Sequence, residues 1–158
     1  MPFSLPANFN PGDSYTNVHA NNVAAAINSQ VNGIQTAYVA ALESTTSATY
    51  TDLATTTDQV TVTIGQSGTA IMFLSALLYN SVPGWSYIGY VASGANTIAV
   101  ADAITAFSSQ GGAGWQFGIT IILTALSPGA TTFKMKYKAT TSTTGSFGNR
   151  RIAVIPFP

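Results

Sequence analysis

The sequence predicts a mainly β protein: an antiparallel β-sandwich of the jelly-roll type, preceded by an extended N-terminal arm and one α-helix. Two observations support this prediction. From Gln59 onward, about eight short segments rich in β-branched and aromatic residues alternate with Gly, Pro and Ser turns, as in two-sheet sandwiches. Before that point, apolar residues recur at the spacing of a helix rather than that of a strand.

The composition limits the class of protein. A chain of 158 residues has room for one hydrophobic core and an appendage. Only 6% of the residues are charged while 46% are hydrophobic, which is typical neither of a disordered chain nor of a free cytosolic monomer. We therefore expect a folded protein that functions as part of an assembly with other chains.

The N-terminal arm covers residues 1–16, where prolines and a turn at 10–13 favour extended backbone. Phe3, Leu5 and Phe9 are spaced along the arm and are candidate anchors in a groove of another protein. The alternative is that the arm folds back on its own domain. The arm lacks the basic start and apolar run of a signal peptide, and no stretch has the length of a membrane helix.

A helix is predicted over residues 17–42. Within it, Ile27, Val31, Ile34 and Tyr38 follow one another at intervals of 4, 3 and 4 residues, which is the narrow apolar stripe of a coiled coil. A helix with so few ion pairs is marginal on its own and must pack on something. We expect this seam to pair with copies of itself, and packing against the β domain is the alternative.

The predicted β-sandwich head spans residues 59–158, behind an anchoring and oligomerising segment over 1–43 and a Thr/Ser-rich connector over 44–58. Within the head, the predicted strands Ala70–Tyr79 and Trp115–Leu126 are apolar on both faces, and such strands are covered on both sides. One small core covers only one of these faces. We therefore predict that the second face is buried between subunits, as in obligate oligomers.

The few charges are divided along the chain, because every Asp and Glu precedes every Lys and Arg. This division allows complementary contacts within or between chains, whereas the zero net charge gives no broad positive field for nucleic acid. Arg150 and Arg151 lead into the last apolar strand, where a solvated turn is the alternative to a contact. The candidate inter-subunit charge contacts join these two arginines to Asp52, Asp58 and Asp102.

No catalytic machinery, cofactor site or metal site is predicted, so the protein is not expected to be an enzyme. The chain has no cysteine, and its one histidine, His19, is expected to be a polar surface residue. The acidic residues are scattered singly, without paired carboxylates or calcium-loop spacing. Trp85, Gln110 and Trp115 belong to candidate recognition loops, and the alternative is that such aromatic residues fill a core or an interface.

Several phrases of the sequence resemble a known family. The residues are 50–76 (YTDLATTTDQVTVTIGQSGTAIMFLSA), 91–103 (VASGANTIAVADA), 126–139 (LSPGATTFKMKYKA) and 149–158 (NRRIAVIPFP). They are similar to small tailed-bacteriophage virion proteins of the head-fibre, capsid decoration or minor tail type. Residues 9–34 (FNPGDSYTNVHANNVAAAINSQVNGI) also resemble the short attachment segments that precede such heads.

This resemblance implies a head like the trimeric C1q/TNF (tumour necrosis factor) jelly rolls, and a homotrimer on the virion surface. The expected function is a capsid decoration or head-fibre protein, anchored by its N-terminal segment, with the capsid exterior favoured over the tail because the stalk is short. Its expected partners are its own copies, the major capsid protein and a host surface glycan or protein, but neither nucleic acid nor a membrane. The alternatives are a minor tail or receptor-binding protein at the tail tip and an enzyme such as a glycan depolymerase.

Overall fold

The computed structural model describes Val23 and residues 33–108 and 114–158. These residues form nine strands and one short 3-10 helix, Asp102–Ile104. The strands are β1 (Gln35–Val39), β2 (Glu43–Thr45), β3 (Gln59–Ile64), β4 (Ala70–Asn80), β5 (Ser86–Gly94), β6 (Ala106–Ser108), β7 (Trp115–Leu123), β8 (Gly129–Ala139) and β9 (Gly145–Pro156).

The strands form two antiparallel sheets. The larger sheet has the order β1-β9-β4-β7, and β2 also pairs with β9. The smaller sheet has the order β3-β8-β5-β6. Only β5 and β6 are neighbours both in the chain and in a sheet, so most pairings join distant parts of the sequence. The prediction of a mainly β, antiparallel fold is confirmed.

One hydrophobic core lies between the two sheets, and the alternation of side chains along each strand supplies it. In β3, Val60, Val62 and Ile64 are buried while the residues between them are exposed. In β8, Phe133 and Tyr137 are fully buried on the same side. The larger sheet contributes Ala70, Met72, Leu74, Leu78, Ile152 and Val154 to this core.

The turns at one end of the sheets are bonded to one another. Gly68, between β3 and β4, has a φ of +60°, in the left-handed region that favours glycine. Its carbonyl accepts a hydrogen bond from the Leu126 N–H at 2.9 Å, and a Cβ added to Gly68 would lie 2.6 Å from the Leu126 carbonyl oxygen. Nearby, Asn96 Nδ2 donates to the Ser127 carbonyl at 2.9 Å. Contacts between separate turns therefore fix this end.

β9 contains a bulge opposite Ser75 to Leu77 of β4. Asn149 has a φ of +47° there, and both Phe147 and Arg150 are fully buried. Strict alternation would place one of these two side chains on the outside of the sheet. The bulge thus turns Arg150 into the interior and leaves the next residue, Arg151, on the outer surface.

The predicted helix over residues 17–42 is wrong in its C-terminal part. β1 pairs with β9, so Tyr38 lies on a strand and not on a helical seam. The β1 sequence, QTAYV, contains the strand-favouring residues Thr, Tyr and Val, and pairing with β9 satisfies its backbone in a way that local helical spacing does not reveal. Val23 is helical, while Ile27 and Val31 of the predicted seam lie outside the described residues.

The sheets also begin earlier in the chain than the sequence predicts. β1 and β2 precede Gln59, the predicted start of the head, and both pair with β9. Within the predicted connector, Thr51 forms a β-bridge with Tyr137, and Leu53 is buried in the core. The folded unit therefore includes residues from 35 onward.

Candidate functional site: an apolar face on the larger sheet

β4 has apolar side chains on both of its faces, as the sequence predicts. Its inward residues are buried, whereas the outward residues Ile71, Phe73, Leu77 and Tyr79 are partly exposed, Phe73 to 42%. These outward side chains point away from the core that lies between the sheets. β4 therefore presents a second apolar surface.

Neighbouring strands extend this surface. The register places Ile155 and Ala153 of β9 beside Ile71 and Phe73 of β4. On the other side of β4, Ile122 of β7 lies beside Ile71 and is 70% exposed. We call the following residues the apolar face: Tyr38, Ile71, Phe73, Leu77, Ile122, Ala153 and Ile155.

Leu42 adds to the apolar face between β1 and β2. It is exposed, and it lies close to Leu77 across Gly148. A Cβ added to Gly148 would lie 3.2 Å from Leu42 Cδ1 and 3.7 Å from Leu77 Cδ2. The glycine thus leaves room for both leucine side chains.

A cation, Arg151, lies next to Tyr38 of the apolar face. The two residues are opposite each other in the pairing of β1 with β9. Arg151 Cζ lies 4.1 Å from the centroid of the Tyr38 ring, and the Tyr38 hydroxyl donates to Asn149 Oδ1 at 2.9 Å. Within the described part of the chain, Arg151 has no carboxylate partner. The positive charge of Arg151 thus lies at the border of the apolar face, where the Tyr38 ring holds the guanidinium in place.

β7 forms a second apolar surface that adjoins the apolar face. By register, Trp115 and Phe117 lie on its inward side, beside Leu78 and Ala76, yet Trp115 is 51% exposed. Among the described residues, the edge strand of the smaller sheet, β6, has 3 residues against 9 in β7, so β6 itself covers only part of the length of β7. We call Trp115, Phe117, Ile119 and Ile121 the β7 edge.

The prediction that both faces of the strand are apolar fits β4 better than it fits β7. The outward residues of β7 are Gln116, Gly118 and Thr120, followed by Ile122. Only Ile122 among these four is a large apolar residue. The exposed apolar surface of β7 comes instead from its inward side, where Trp115 and Phe117 are exposed.

The outer face of the smaller sheet is polar. Lys134 and Lys136 of β8 place their Nζ atoms 2.9 Å and 2.8 Å from the carboxylate of Asp52, and Lys138 Nζ lies 2.6 Å from Asp102 Oδ1. Partial burial alone would raise the pKa of Asp52, but hydrogen bonds and attraction from the two lysines outweigh it and lower that pKa. This face is therefore adapted to water, with its charges paired inside one chain.

A buried ionic cluster lies between the sheets around Arg150, which is fully buried. Its Nη2 lies 2.9 Å from Glu43 Oε2 and its Nη1 lies 3.3 Å from Asp58 Oδ2. These contacts are ion pairs between one buried cation and two carboxylates. The Tyr137 hydroxyl donates to Asp58, and its ring centroid lies 5.3 Å from Arg150 Cζ.

Glu43 connects this cluster to the edge of the larger sheet. Burial raises the pKa of Glu43, but hydrogen bonds from Thr55 and attraction from Arg150 outweigh it and hold the pKa below its usual value. Burial, together with the Asp58 charge, raises the pKa of Tyr137. The cluster thus joins β2, β8, β9 and the residue before β3 through one guanidinium.

Most of the predicted inter-subunit charge contacts are satisfied within one chain. Asp58 pairs with Arg150, as the sequence analysis allows, but inside the core. Asp52 and Asp102 pair with lysines of β8 and not with an arginine. Among the described residues, Arg151 is the predicted member of this set that is left for a contact with another molecule.

The other predicted site residues are placed as follows. Phe3, Leu5 and Phe9 of the arm and Gln110 of the recognition loop lie outside the described residues. Ile34 is exposed and directly precedes β1. Of the two remaining residues, Trp85 lies directly before β5, and Trp115 is the first residue of β7.

Sequence reasoning missed the roles of Glu43 and Tyr137 in the buried cluster. The alternation of apolar residues with lysines over residues 133–138 places Tyr137 on one side of a strand, but nothing in this pattern indicates a carboxylate next to its hydroxyl. Glu43 stands in a Thr/Ser-rich stretch that resembles a linker. A useful signal would have been the scarcity of charge, because a lone Glu in such a chain needs a partner if it is buried.

The described residues offer few groups for chemistry. In the ranges 33–108 and 114–158, no group of three His, Cys, Asp or Glu side chains converges as a metal site requires. No helix among the described residues has the length and apolar character needed to span a membrane. The feature that stands out is therefore a surface, formed by the apolar face and the β7 edge.

Comparisons with known proteins give little beyond this geometry. No family model matches the chain, and no curated protein matches it. Solved structures do match, and one is a chain from the "Structure of infectious bursal disease virus Gx strain". That match has a TM-score of 0.48 and 12% identity, and it covers 77% of this chain but only 32% of that chain. A likeness of this extent carries no argument about function.

Proposed function

We propose that the protein is a structural virion protein whose β domain assembles as a homotrimer through the apolar face and the β7 edge. The observation that carries the proposal is the apolar face itself. Phe73 and Ile122 are exposed on the outside of the larger sheet, next to Ile71 and Ile155. Such a patch is an aggregation hazard on a free monomer, whereas burial between subunits makes it an interface core.

The position of the two apolar surfaces favours a ring over a two-fold dimer. The apolar face and the inward side of β7 differ in composition, and they lie on opposite sides of the larger sheet. A contact between two unlike surfaces is head-to-tail, and such contacts close into a ring when the rotation permits. Each copy would use both surfaces, so the ring would cover both.

The strand orders support a jelly roll. The orders β1-β9-β4-β7 and β3-β8-β5-β6 each bring a late strand between early ones, as nested Greek keys do. Viral capsid domains are among the proteins built in this way. Together with the resemblance of the sequence to small phage virion proteins, this order is the reason for proposing a virion role.

The anchoring segment of the proposal is residues 1–33, which precede β1. This assignment is shorter than the 1–43 that the sequence predicts, because β1 and β2 belong to the larger sheet. The partner proposed for the anchor is the major capsid protein, and the site proposed is the capsid exterior. A minor tail protein that binds a host at the tail tip is the second candidate, because Val82 and Trp85 are exposed on a loop.

The mass of the purified chain in solution tests the assembly. Light scattering after size exclusion is expected to give three times the 16.3 kDa of one chain. A monomer that stays soluble at high concentration would refute the proposed interface.

The location is tested separately on intact virions with an antibody against the β domain. Signal over the capsid supports a decoration protein, and signal at the tail tip alone supports the second candidate. A chain that lacks residues 1–33 is expected to remain a folded trimer and to be absent from particles. If the truncated chain decorated virions at full occupancy, residues 1–33 would not be the anchor.

A further inference from the structure

Two loops at the end of the sheets opposite the Gly68 turn are bonded together along their length. One loop, residues 81–85, joins β4 to β5, and the other, residues 140–144, joins β8 to β9. At one end, the Ser81 N–H donates to the Thr144 carbonyl at 3.1 Å. At the other end, the Thr140 N–H donates to the Trp85 carbonyl and the Trp85 N–H donates to Thr140 Oγ1, both at 2.9 Å. We call these two loops the loop ledge.

A buried amide supports the loop ledge from below. Asn80, the last residue of β4, is almost fully buried, and its Nδ2 donates to Thr143 Oγ1 at 3.1 Å and to Ser86 Oγ at 3.3 Å. Its Oδ1 accepts from the Val82 N–H at 3.4 Å. Gly84 packs closely against the second loop, since an added Cβ would lie 2.8 Å from Thr143 Cγ2. Hydrogen bonds to separate strands therefore fix the backbone of both loops.

This fixed backbone presents apolar groups to the solvent. Val82 and Pro83 are exposed, and the Trp85 side chain is 40% exposed. The hydroxyl-bearing residues Thr141 and Ser142 of the neighbouring loop are exposed beside them. Loops that a rigid scaffold holds in one conformation are where binding residues concentrate, because little conformational entropy is lost when a ligand binds.

The chemistry of the loop ledge defines the ligand class. Neither loop contains a charged residue. The 140–144 loop (TTSTT) consists entirely of hydroxyl-bearing residues, and the 81–85 loop (SVPGW) adds the hydroxyl of Ser81. The C–H face of a sugar ring stacks on an indole, while sugar hydroxyls exchange hydrogen bonds with Ser and Thr side chains and with backbone groups. An anionic glycan would find no cation in either loop, and a phosphate or nucleic acid would find no positive field.

We propose that the loop ledge is a binding site for neutral saccharides, with Trp85 as the stacking platform and the hydroxyls of the 140–144 loop as the polar partners. The site is separate from the apolar face and does not depend on the proposed trimer. A trimer would nevertheless present three such sites, which raises the avidity for a polysaccharide without a new contact.

The two tryptophans of the chain make the test internally controlled. Incorporation of 5-fluorotryptophan gives one ¹⁹F resonance for Trp85 and one for Trp115. Maltotriose and chitotriose are titrated as neutral probes, and trigalacturonate is titrated as the charged probe. We expect at least one neutral probe to shift the Trp85 resonance in a saturable way at millimolar concentration, with the Trp115 resonance and the trigalacturonate titration unchanged.

Variants separate stacking from a general loss of structure. Trp85→Ala is expected to weaken binding by at least about tenfold, whereas Trp85→Phe keeps an aromatic face and retains a measurable part of it. Thr63→Ala, on the outer face of the smaller sheet near the Gly68 turn, is the control and is expected to bind the neutral probe as the parent chain does. The proposal is overturned if neither neutral probe shifts Trp85, if trigalacturonate binds equally well, or if Trp85→Ala binds the neutral probe as tightly as Thr63→Ala does.

Discussion

The outer faces of the two sheets differ, although both sheets build their inner faces in the same way. On the smaller sheet, the outward residues of β8 include three lysines, and each lysine pairs with Asp52 or Asp102 within the chain. On the larger sheet, the outward residues of β4 other than Ser75 are Ile71, Phe73, Leu77 and Tyr79. The inner alternation determines that a strand forms, whereas the outward residues determine whether water or another chain covers it.

A charge placed on the apolar face is expected to have the largest effect. Phe73→Lys would bury an unpaired ammonium at each contact of the proposed ring, which costs about 3–5 kcal/mol per site. We expect a folded monomer in place of the trimer, measured by light scattering and by circular dichroism. The matched control is Thr61→Lys on the outer face of the smaller sheet, where Thr61 is exposed and the mass should not change. Equal dissociation by both variants would mean that the two outer faces are equivalent.

Two adjacent arginines of β9 show the same difference between a buried and an exposed position within a single strand. Arg150→Ala leaves Glu43 and Asp58 buried without their cation, so we expect the free energy of unfolding to fall by about 3–5 kcal/mol in urea titrations. Arg151→Ala removes a side chain on the outer surface and should change that free energy by less than about 1 kcal/mol. Its expected effect is on assembly. A larger loss of stability from Arg151→Ala would contradict the assignment of inside and outside.

Acid is expected to weaken the buried cluster through Glu43. The pKa of Glu43 is below its usual value in the folded protein, so its contribution to stability is present above the usual pKa and is lost as the pH falls through the folded value. We expect the urea midpoint to decline below about pH 4.5. Glu43→Gln should flatten this decline and lower stability at neutral pH by about 1–3 kcal/mol. If the urea midpoint of Glu43→Gln declined with falling pH as steeply as that of the parent chain, the titrating group would be another carboxylate.

The smallest effect is expected on the outer face of the smaller sheet. Asp52→Asn removes the partner of both Lys134 and Lys136, yet these pairs are solvent-accessible. We expect a loss of less than about 1 kcal/mol, which shrinks further in high salt because the charges are screened. Thermal unfolding of both proteins at low and high salt measures the difference. A loss that is large and independent of salt would show that this face is buried in the assembled protein.

The parts of the fold that the sequence predicts are those that depend on local alternation. β3, β4 and β8 follow directly from the spacing of their apolar residues, and the two-faced character of β4 indicates an outer apolar surface. β1 was missed because its conformation depends on β9, more than 100 positions later in the chain. For Arg150 the sequence predicts a subunit contact or a solvated turn, and not a core position, because the bulge that turns it inward leaves no mark on the apolar pattern.

The central position of β9 has a consequence for biosynthesis. β9 lies between β1 and β4 and contributes Ala153 and Ile155 to the apolar face, yet it is translated after the eight other strands. While the ribosome is still making residues 145–156, β1 has no partner strand and the larger sheet is not closed. The apolar face is thus completed by the last of these nine strands to be translated, so in the proposed trimer each polypeptide would offer its whole interface only once its own core can close.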